Sequence, residues 1–315
     1  MASAPLSGIV VGMRIVVALG GNVLLRRGEP ADVQTQEKNV ETAAAGLAAV
    51  AAGHELVITH GNGPQVGLLA LQNAAYSDVP AYPLDVLGAE SEGMVGYMLG
   101  LALRNALPDR DLVTLLTEVV VAADDPAFAT PTKPIGPVYS QPEAERLAAE
   151  KGWTIGARGL GAQRLVPSPE PRAIVELRSL RTLIDAGALV ICGGGGGIPV
   201  AVDGDGTMRG VEAVVDKDLT ASLLARRLEA ELLVMLTDVD AVRLGWGSDE
   251  ETALRSVTPA ALREHDFEPG SMGPKVEAAC RFVEATGKRA AIGSLADAAA
   301  IVRGEAGTQV VPPRT

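Results

Sequence analysis

Hydrophobic positions along this chain form short runs that alternate with longer amphipathic segments. The short runs, rich in Val, Leu and Ile, are typical of buried β-strands and lie at 14–19, 55–59, 112–121, 188–192, 232–236, 289–292 and 309–311. Segments with helical spacing separate them, at 36–52, 64–76, 90–107 and 173–186 and in two stretches that end near 228 and 286. This alternation predicts an α/β fold with a mainly parallel sheet.

Glycine-rich turns follow three of these predicted strands. They are GGN at 20–22, GNG at 61–63 and five glycines at 193–197, and a polar turn at 237–242 follows a fourth strand. Backbone without Cβ atoms turns tightly and can present its N–H groups to an anion. A flexible linker is the alternative, but linker glycines usually sit among Ser, Pro and charged residues. Because parallel strands end at the same edge of a sheet, the four turns predict one shared ligand site.

The turn at 61–67 comes close to a dinucleotide-binding fingerprint. Its spacing is G-x-G-x-x-x-G, one residue longer than the Rossmann pattern, and Pro64 suits the first position of the following helix. The arrangement therefore favours an anion site over an NAD site. His60 is either a general base or a hydrogen-bonded structural residue, which is the commoner role for a lone histidine before a glycine turn.

Prolines punctuate the chain from 124 to 171 and set this region apart. A connection of this length is usually a lid, a protruding subdomain or a disordered segment. Phe128, Tyr139 and Trp153 favour an ordered subdomain, which we expect at about 124–168.

Three glycines, Gly93, Gly96 and Gly100, lie on the predicted helix 90–107. Their spacing predicts close packing of a neighbour, either across a dimer interface or inside the chain.

Composition narrows the classes of protein that this chain can represent. Hydrophobic residues make up 47% but aromatic residues only 3%, so the core is mainly Ala, Val and Leu. A net charge of −12 argues against a nucleic acid or an anionic membrane as partner, and no apolar run is long enough to cross a bilayer. Two cysteines are too few for a disulfide framework and indicate the cytoplasm. We expect residues 1–12 to be an extension before Met13 and not a signal peptide.

Lysine is used sparingly, in six of the 27 basic positions. Lys133, Lys217 and Lys275 lie in stretches rich in Pro, Asp or Gly, where a compact mobile charge is useful. Glycine N–H groups, helix N-termini and ammonium groups together indicate phosphoryl transfer, which needs positioning and charge neutralisation rather than a side-chain nucleophile. The sequence has no P-loop motif, no metal-ligand spacing of His and Cys, and no evident Ser/His/Asp set. Asp216 and Asp218 are either helix caps or, for Asp216, a residue that holds lysines in place.

Seven motifs follow one another along the chain: ALGGN at 18–22, HGNGPQV at 60–66, PTKPIGP at 131–137, VPSP at 166–169, CGGGGGIP at 192–199, GVEAVVDKD at 210–218 and GSMGPK at 270–275. In this order they resemble the carbamate kinases, which have the amino acid kinase fold, and the resemblance covers 13–315. It implies a three-layer αβα sandwich with a mainly parallel sheet of about eight strands, a small protruding lid subdomain and a homodimer. The reaction would be ATP plus carbamate giving ADP plus carbamoyl phosphate, with Mg²⁺ bridging the phosphates and no protein ligand to the metal.

The resemblance also assigns roles along the chain. Residues 13–187 would hold the carbamoyl moiety and 188–315 the nucleotide, in one domain. Lys133 would reach the transferred phosphoryl group from the lid, and Lys217, Lys275 and Asp216 would complete the catalytic set. The phosphate and carbamate cradle would consist of Gly20, Gly21, Asn22, Gly61, Asn62, Gly63, Gly194 and Gly195. The nucleotide would contact Thr237, Asp238, Val242 and Met272.

One segment departs from the family pattern. RGLGAQR at 158–164 stands where the family has an aromatic residue with adjacent arginines, so the lid tip is where a changed acceptor would be encoded. Two alternatives follow: a sister kinase that phosphorylates another small acid, such as acetylglutamate or a phosphonate, and a non-catalytic nucleotide-binding regulator. The presence of all three lysines weighs against the regulator.

Overall fold

A computed structural model describes residues 12–26, 28–76, 78–248, 250–268 and 270–313. Apart from Gly12, the expected N-terminal extension lies outside the described residues. The strands are β1 (Arg14–Leu19), β2 (Glu55–His60), β3 (Leu112–Thr114), β4 (Glu118–Val121), β5 (Lys133–Tyr139), β6 (Thr154–Arg158), β7 (Gly161–Val166), β8 (Ala173–Ile174), β9 (Leu189–Ile191), β10 (Ile198–Val202), β11 (Met208–Gly210), β12 (Leu232–Thr237), β13 (Arg243–Leu244), β14 (Thr252–Ala253), β15 (Ser256–Val257), β16 (Arg289–Ser294) and β17 (Thr308–Val310). The α-helices are α1 (Gly21–Leu24), α2 (Val33–Ala51), α3 (Gly63–Ala75), α4 (Leu84–Ala106), α5 (Gln141–Lys151), α6 (Leu177–Asp185), α7 (Lys217–Arg227), α8 (Pro259–Leu262), α9 (Met272–Thr286) and α10 (Ala298–Arg303).

The central sheet has eight strands within the described ranges, in the order β15-β17-β16-β12-β1-β2-β9-β3. Neighbouring strands from β16 to β3 are parallel, and β17 is antiparallel to β16. Val17 in β1 pairs with Val234 on one side and Ile58 on the other. The prediction of a mainly parallel sheet of about eight strands is confirmed.

Helices cover both faces of this sheet because β1 presents apolar residues to both. Val16 and Ala18 join the hydrophobic cluster that includes α7 and α9. Ile15, Val17 and Leu19 join the cluster that includes α2 and α4. Successive strand residues point to opposite faces, so a continuous apolar strand needs two helical layers. The three-layer sandwich is confirmed. In the described part of the chain, no helix is both long and apolar enough to cross a membrane.

The single strand predicted at 112–121 is wrong, because two strands in different sheets occupy it. β3 is an edge strand of the central sheet, whereas β4 belongs to a second sheet of order β11-β10-β4-β8. Between them Thr117 bends the chain around the glycine run: its Oγ1 donates to the Leu115 carbonyl and accepts from the Gly193 N–H. That hydroxyl bond to a distant backbone group ends the strand.

Two helix starts also differ from the prediction. The helix predicted from 173 starts at Leu177, because Ala173 and Ile174 pair with β4 as strand β8. The helix predicted from 90 starts at Leu84, where the Leu84 N–H donates to the Glu212 carboxylate at 2.7 Å. The residue that caps this helix lies 128 positions away in the sequence, so the residues near Leu84 do not indicate that a helix begins there.

The lid is a three-stranded antiparallel sheet, order β5-β7-β6, with α5 packed against it. Its aromatic residues are ordered, with Tyr139 and Trp153 ring centroids 6.5 Å apart and the Arg164 guanidinium 4.6 Å from the Trp153 centroid. β5 passes so close to α3 that a Cβ on Gly67 would lie 2.4 Å from the Gly136 Cα. The lid is therefore anchored on α3 through backbone contact.

The glycines of α4 serve packing inside the chain. A Cβ on Gly96 would lie 2.6 Å from the Thr114 side chain, and one on Gly100 would lie 3.1 Å from the Thr114 hydroxyl. Of the two roles that the spacing left open, close approach of α4 to β3 is therefore the one observed.

Candidate active site

Four strand-end turns converge at one edge of the central sheet. They follow β12, β1, β2 and β9, which are neighbours in the sheet and parallel, so their carboxyl ends lie side by side. A cavity of about 380 Å³ opens there. Its walls include Gly20, Gly21, Asn22, Gly61, Asn62, Gly63, Gly195, Lys133, Asp216, Lys217, Asp218, Thr237, Asp238 and Lys275.

Two glycines of the cavity wall, Gly61 and Gly195, lie so close to neighbouring loops that a side chain would not fit. A Cβ on Gly61 would lie 2.7 Å from the Gly21 nitrogen. Gly195 has a φ of +68°, and a Cβ there would lie 2.1 Å from the Asn62 amide nitrogen. Only glycine permits this approach of three loops, which leaves a surface of backbone groups facing the cavity.

Asp218 joins two of the three lysines. Its Oδ1 accepts from Lys217 Nζ at 2.6 Å and its Oδ2 accepts from Lys275 Nζ at 3.1 Å. All three side chains are nearly inaccessible, with exposures of 5% for Asp218, 13% for Lys217 and 12% for Lys275. Burial would by itself raise the pKa of Asp218, but the two ammonium groups hold it below its usual value. The sequence predicted Asp218 only as a possible helix cap, whereas the structure places it between two lysines of the cavity.

Asp216 works in two directions at the start of α7. Its Oδ1 accepts from the Asp218 and Leu219 N–H groups, which caps the helix, and its Oδ2 accepts from Lys133 Nζ at 2.8 Å. Burial opposes ionisation, but Lys133 and then Lys217 hold the pKa of Asp216 well below its usual range. Asp216 is therefore both a helix cap and a residue that holds a lysine in place, and that lysine is Lys133. Three ammonium groups and two carboxylates leave the cluster with one net positive charge.

The pKa values of Lys217 and Lys275 are shifted in opposite directions. Burial is the larger effect on Lys217 and lowers its pKa, with Lys275 adding repulsion and Asp218 opposing both. Burial also acts to lower the pKa of Lys275, but the Asp218 carboxylate outweighs it and raises the pKa. The shared carboxylate keeps two ammonium groups together in a confined space.

A second cavity of about 420 Å³ adjoins the first. The two share Asn22, Thr237, Asp238, Ser271 and Lys275, and the second adds the apolar and aromatic side chains Leu244, Trp246, Phe267 and Met272. Three of the four residues predicted for nucleotide binding, Thr237, Asp238 and Met272, line it. Val242 does not: it is fully buried in the core, and its N–H donates to the Thr308 hydroxyl at 2.8 Å.

A buried layer supports the five-glycine run from behind. The Gly194 N–H donates to Glu92 Oε1 at 2.9 Å, away from the cavity, and the Thr117 N–H donates to Glu92 Oε2 at 3.4 Å. Gly194 is thus held by the protein, whereas Gly195 faces the cavity. Burial raises the pKa of Glu92 to about 8. Nothing in the sequence near Glu92 marks it as a partner of this loop.

His60 also belongs to the buried layer and does not line the cavity. It is fully buried, its Nδ1 faces the Gly61 carbonyl at 3.2 Å, and burial lowers its pKa to about 4. Of the two interpretations of His60, the structural one fits these surroundings.

The acidic residues of the site are committed to lysines, caps or amides rather than to a metal cage. Asp238, for example, accepts from the Asn22 amide at 3.1 Å and from the Thr237 hydroxyl at 3.0 Å. Within the ranges that the structure describes, no group of three or more His, Cys, Asp and Glu side chains is arranged to hold a metal ion.

Comparisons with known proteins agree with this geometry. The amino acid kinase family model matches residues 13–294. A carbamate kinase of Haemophilus influenzae is 54% identical over 299 residues, covering 95% of this chain and 96% of that protein. One of Rhizobium meliloti is 55% identical over 299 residues, covering 94% and 92%. The structure of Giardia lamblia carbamate kinase bound to AMP-PNP superposes with a TM-score of 0.88 at 41% identity, covering 97% of this chain and all of that one.

We expect Glu92→Gln to become more stable relative to the wild type as the pH rises from about 5 to about 9. The pKa of Glu92 is raised from 4.5 to about 8, so between these values the native state keeps a proton that the unfolded chain has lost. Native stability then falls with rising pH, and glutamine, which cannot ionise, escapes this loss. At about 1.4 kcal/mol per pKa unit, the difference in unfolding free energy should change by roughly 2–4 kcal/mol.

Urea denaturation of both proteins across this pH range measures the effect. The titration of His60 occurs in both proteins, so its contribution cancels in the difference between their unfolding free energies. The exposed Glu90, two residues away on α4, provides the control: Glu90→Gln should track the wild type at every pH. A constant difference between Glu92→Gln and wild type would mean that Glu92 does not bind its proton as described.

Proposed function

This chain belongs to the amino acid kinase family and, within it, to the carbamate kinases, and from this premise we propose that it transfers a phosphoryl group reversibly between ATP and carbamate, yielding ADP and carbamoyl phosphate. The observation that carries the proposal is the Asp218 carboxylate holding Lys217 and Lys275 beside a glycine-lined cavity that Lys133 enters from the lid.

The chemistry requires charge neutralisation more than proton transfer. A carbamate oxygen is already anionic, so it can form its bond to the γ-phosphorus while the bond to the bridging β,γ-oxygen breaks, with no proton to remove. This agrees with a cavity lined by ammonium groups and glycine backbone and with a histidine that is buried away from it. Negative charge spread over the equatorial phosphoryl oxygens is what Lys133, Lys217 and Lys275 would stabilise.

We assign the two cavities to the two substrates. The glycine-lined cavity would hold carbamate or the carbamoyl group with the transferred phosphoryl group, and the adjoining cavity would hold the nucleotide, with Trp246 and Phe267 offering aromatic surface near the base. Lys275 lines both cavities, and its ammonium group would contact the phosphates that connect them. The division of the chain into a carbamoyl lobe and a nucleotide lobe remains part of this proposal.

Mg²⁺ would enter with the nucleotide. Mg²⁺ usually keeps several waters and binds through one or two carboxylates plus substrate phosphates, which fits a site whose carboxylates are mostly engaged by lysines. We keep the expectation that the substrate phosphates, and not a protein side chain, bind the ion. When bound, the ion would neutralise charge on the β- and γ-phosphates.

We further propose that the reaction runs toward ATP in the cell, using carbamoyl phosphate released in the breakdown of arginine or related nitrogen compounds. Carbamoyl phosphate is a mixed anhydride, which favours transfer to ADP. Cys192 and Cys280 are both buried free thiols, in keeping with a cytoplasmic location.

A homodimer is the assembly we propose, formed through the edge of the sheet beside β3. Tyr97 and Leu101 on α4 are 65% and 46% exposed and lie one helical turn apart. Leu116 is 47% exposed, and its side chain lies 3.9 Å from the position of a Cβ on Gly93, one turn before Tyr97. The three side chains form a continuous apolar row beside an edge strand, a surface suited to a second copy.

Purified protein should form ATP from carbamoyl phosphate and ADP in the presence of Mg²⁺, and Lys133→Ala should lower kcat about 10²–10³-fold. Lys151→Ala is the matched control, because Lys151 is also a lid lysine but lines a different groove, beside Trp153. A luciferase assay of ATP, with acetyl phosphate and acetylglutamate phosphate tested in parallel, reads the result. Absence of carbamoyl-phosphate-dependent ATP above the Lys133→Ala level would refute the proposal.

Lys217→Arg should lose nearly as much activity as Lys217→Ala, about 10²–10³-fold in kcat. The Lys217 stem passes 3.4 Å from where a Cβ on Gly61 would lie, and its ammonium is packed against Asp218. A planar guanidinium is larger and would pair with the carboxylate instead of following the phosphoryl group. Lys288→Arg, at a half-buried residue outside both cavities that donates to the Glu229 carbonyl, should leave kcat unchanged. An arginine variant within a few-fold of wild type would remove Lys217 from the mechanism.

Tyr97→Asp combined with Leu101→Asp should convert the protein to a monomer in analytical ultracentrifugation, because two charges would be buried without partners. Val202→Asp provides the control, since Val202 is 45% exposed on β10, outside the apolar row. A double variant that sediments as a dimer would exclude this face as the interface.

A further inference from the structure

The lid tip brings an arginine into the catalytic cavity. Arg158 is the last residue of β6, and it pairs with Gly161 of β7 across a two-residue turn whose Leu160 is fully exposed. Arg158 lines the 380 Å³ cavity and also a groove of about 560 Å³ on the other side of Lys133. Arg158 therefore lines both the cavity and the groove, together with Lys133.

Strand periodicity explains why Arg158 faces the cavity. Gly156 pairs with Gln163 and Arg158 with Gly161, so these four residues share one face of the hairpin, and Gln163 lines the cavity as well. Ala157 and Ala162 pair on the opposite face, where Ala162 is buried in the lid. A one-residue change in this register would turn the arginine away from the site.

Arg158 is the cation of the cavity with the weakest attachment. Within the described residues, Lys133, Lys217 and Lys275 each have a carboxylate oxygen at 2.6–3.1 Å. The Arg158 guanidinium is 4.0 Å from Glu268 Oε1, with side-chain exposures of 39% and 62%. A pair this long and this exposed contributes little, so the guanidinium can exchange Glu268 for a better anion at small cost.

The charge of the site indicates which anion that is. Asp216, Asp218 and Asp238 line the same cavity and balance the three lysines, so Arg158 supplies its net positive charge, whereas carbamoyl phosphate and the ADP phosphates together bring several negative charges. Arg158 lies in the cavity with Lys133 and the glycine loops and does not line the cavity with Trp246 and Phe267. A planar guanidinium offers a fixed pair of parallel N–H donors to two oxygens of one phosphate, whereas a lysine acts as a point charge.

We propose that Arg158 is a substrate-binding residue for the phosphate of carbamoyl phosphate and moves to it from Glu268 when that substrate enters. This inference rests on the proposed function. It means that the divergent segment 158–164 helps to select carbamoyl phosphate as the substrate. Glu268 lines the nucleotide cavity, so the exchange also releases the lid tip from the neighbouring site.

Steady-state kinetics in the direction of ATP formation test the assignment. Arg158→Ala should raise the KM for carbamoyl phosphate about 10–100-fold, the effect expected for loss of a charge-assisted hydrogen bond, and leave the KM for ADP within twofold. Arg158→Lys should recover only part of the loss, and Glu268→Gln should lower the KM for carbamoyl phosphate because the competing carboxylate is gone. Arg146→Ala, on the same lid but paired with Glu150, should match the wild type.

Titration calorimetry with carbamoyl phosphate alone separates this inference from the proposed function. Binding weakened about tenfold or more in Arg158→Ala supports the assignment even if no ATP is formed, in which case the proposed function fails and the anion site stands. A change of less than twofold in both KM and Kd for carbamoyl phosphate overturns the assignment. A rise in the KM for ADP alone also overturns it, because Arg158 would then serve the nucleotide.

Discussion

The Asp218 carboxylate, shared between Lys217 and Lys275, is the interaction on which the rest of the site depends. Two ammonium groups buried this closely would repel each other and lose their protons without a carboxylate between them. Asp218 and Asp216 are themselves anions that only lysines make tolerable out of water. The cluster is therefore stable as a unit, and it keeps three ammonium groups beside the cavity where a phosphate would bind.

The fold brings this unit together by making its parts the first residues of structural elements. Asp216 caps α7, Lys217 begins it, and Lys275 lies in the first turn of α9. Lys133 begins β5 of the lid and pairs with Asp216 across 83 positions of sequence. Helix N-termini add positive potential to the lysines, so the backbone and the side chains favour the same anionic ligand.

The glycine loops bring the backbone close to that ligand, and contacts on their buried side hold them in place. Glu92 and Thr117 hold the five-glycine run from its buried side, and the contact between Gly61 and Gly21 fixes two other turns against each other. Preorganised N–H donors cost no reorganisation when charge develops in the transition state. The glycine loops thus shape the cavity, and the lid adds the positive charges of Lys133 and Arg158 to its wall.

The sequence by itself determined the sheet, its layers and the location of the site. The continuous apolar run in 14–19 required cover on both faces, and glycine turns after parallel strands had to meet at one edge. Lysines in a chain that prefers arginine marked Lys133, Lys217 and Lys275. Only the tertiary structure decided the partners: Asp218 rather than Asp216 for Lys217 and Lys275, Glu92 behind Gly194, Val242 in the core, and a break in 112–121 around Thr117. Periodicity and turn chemistry are local properties, whereas these contacts join residues up to 102 positions apart, and which atoms meet depends on how separate elements pack.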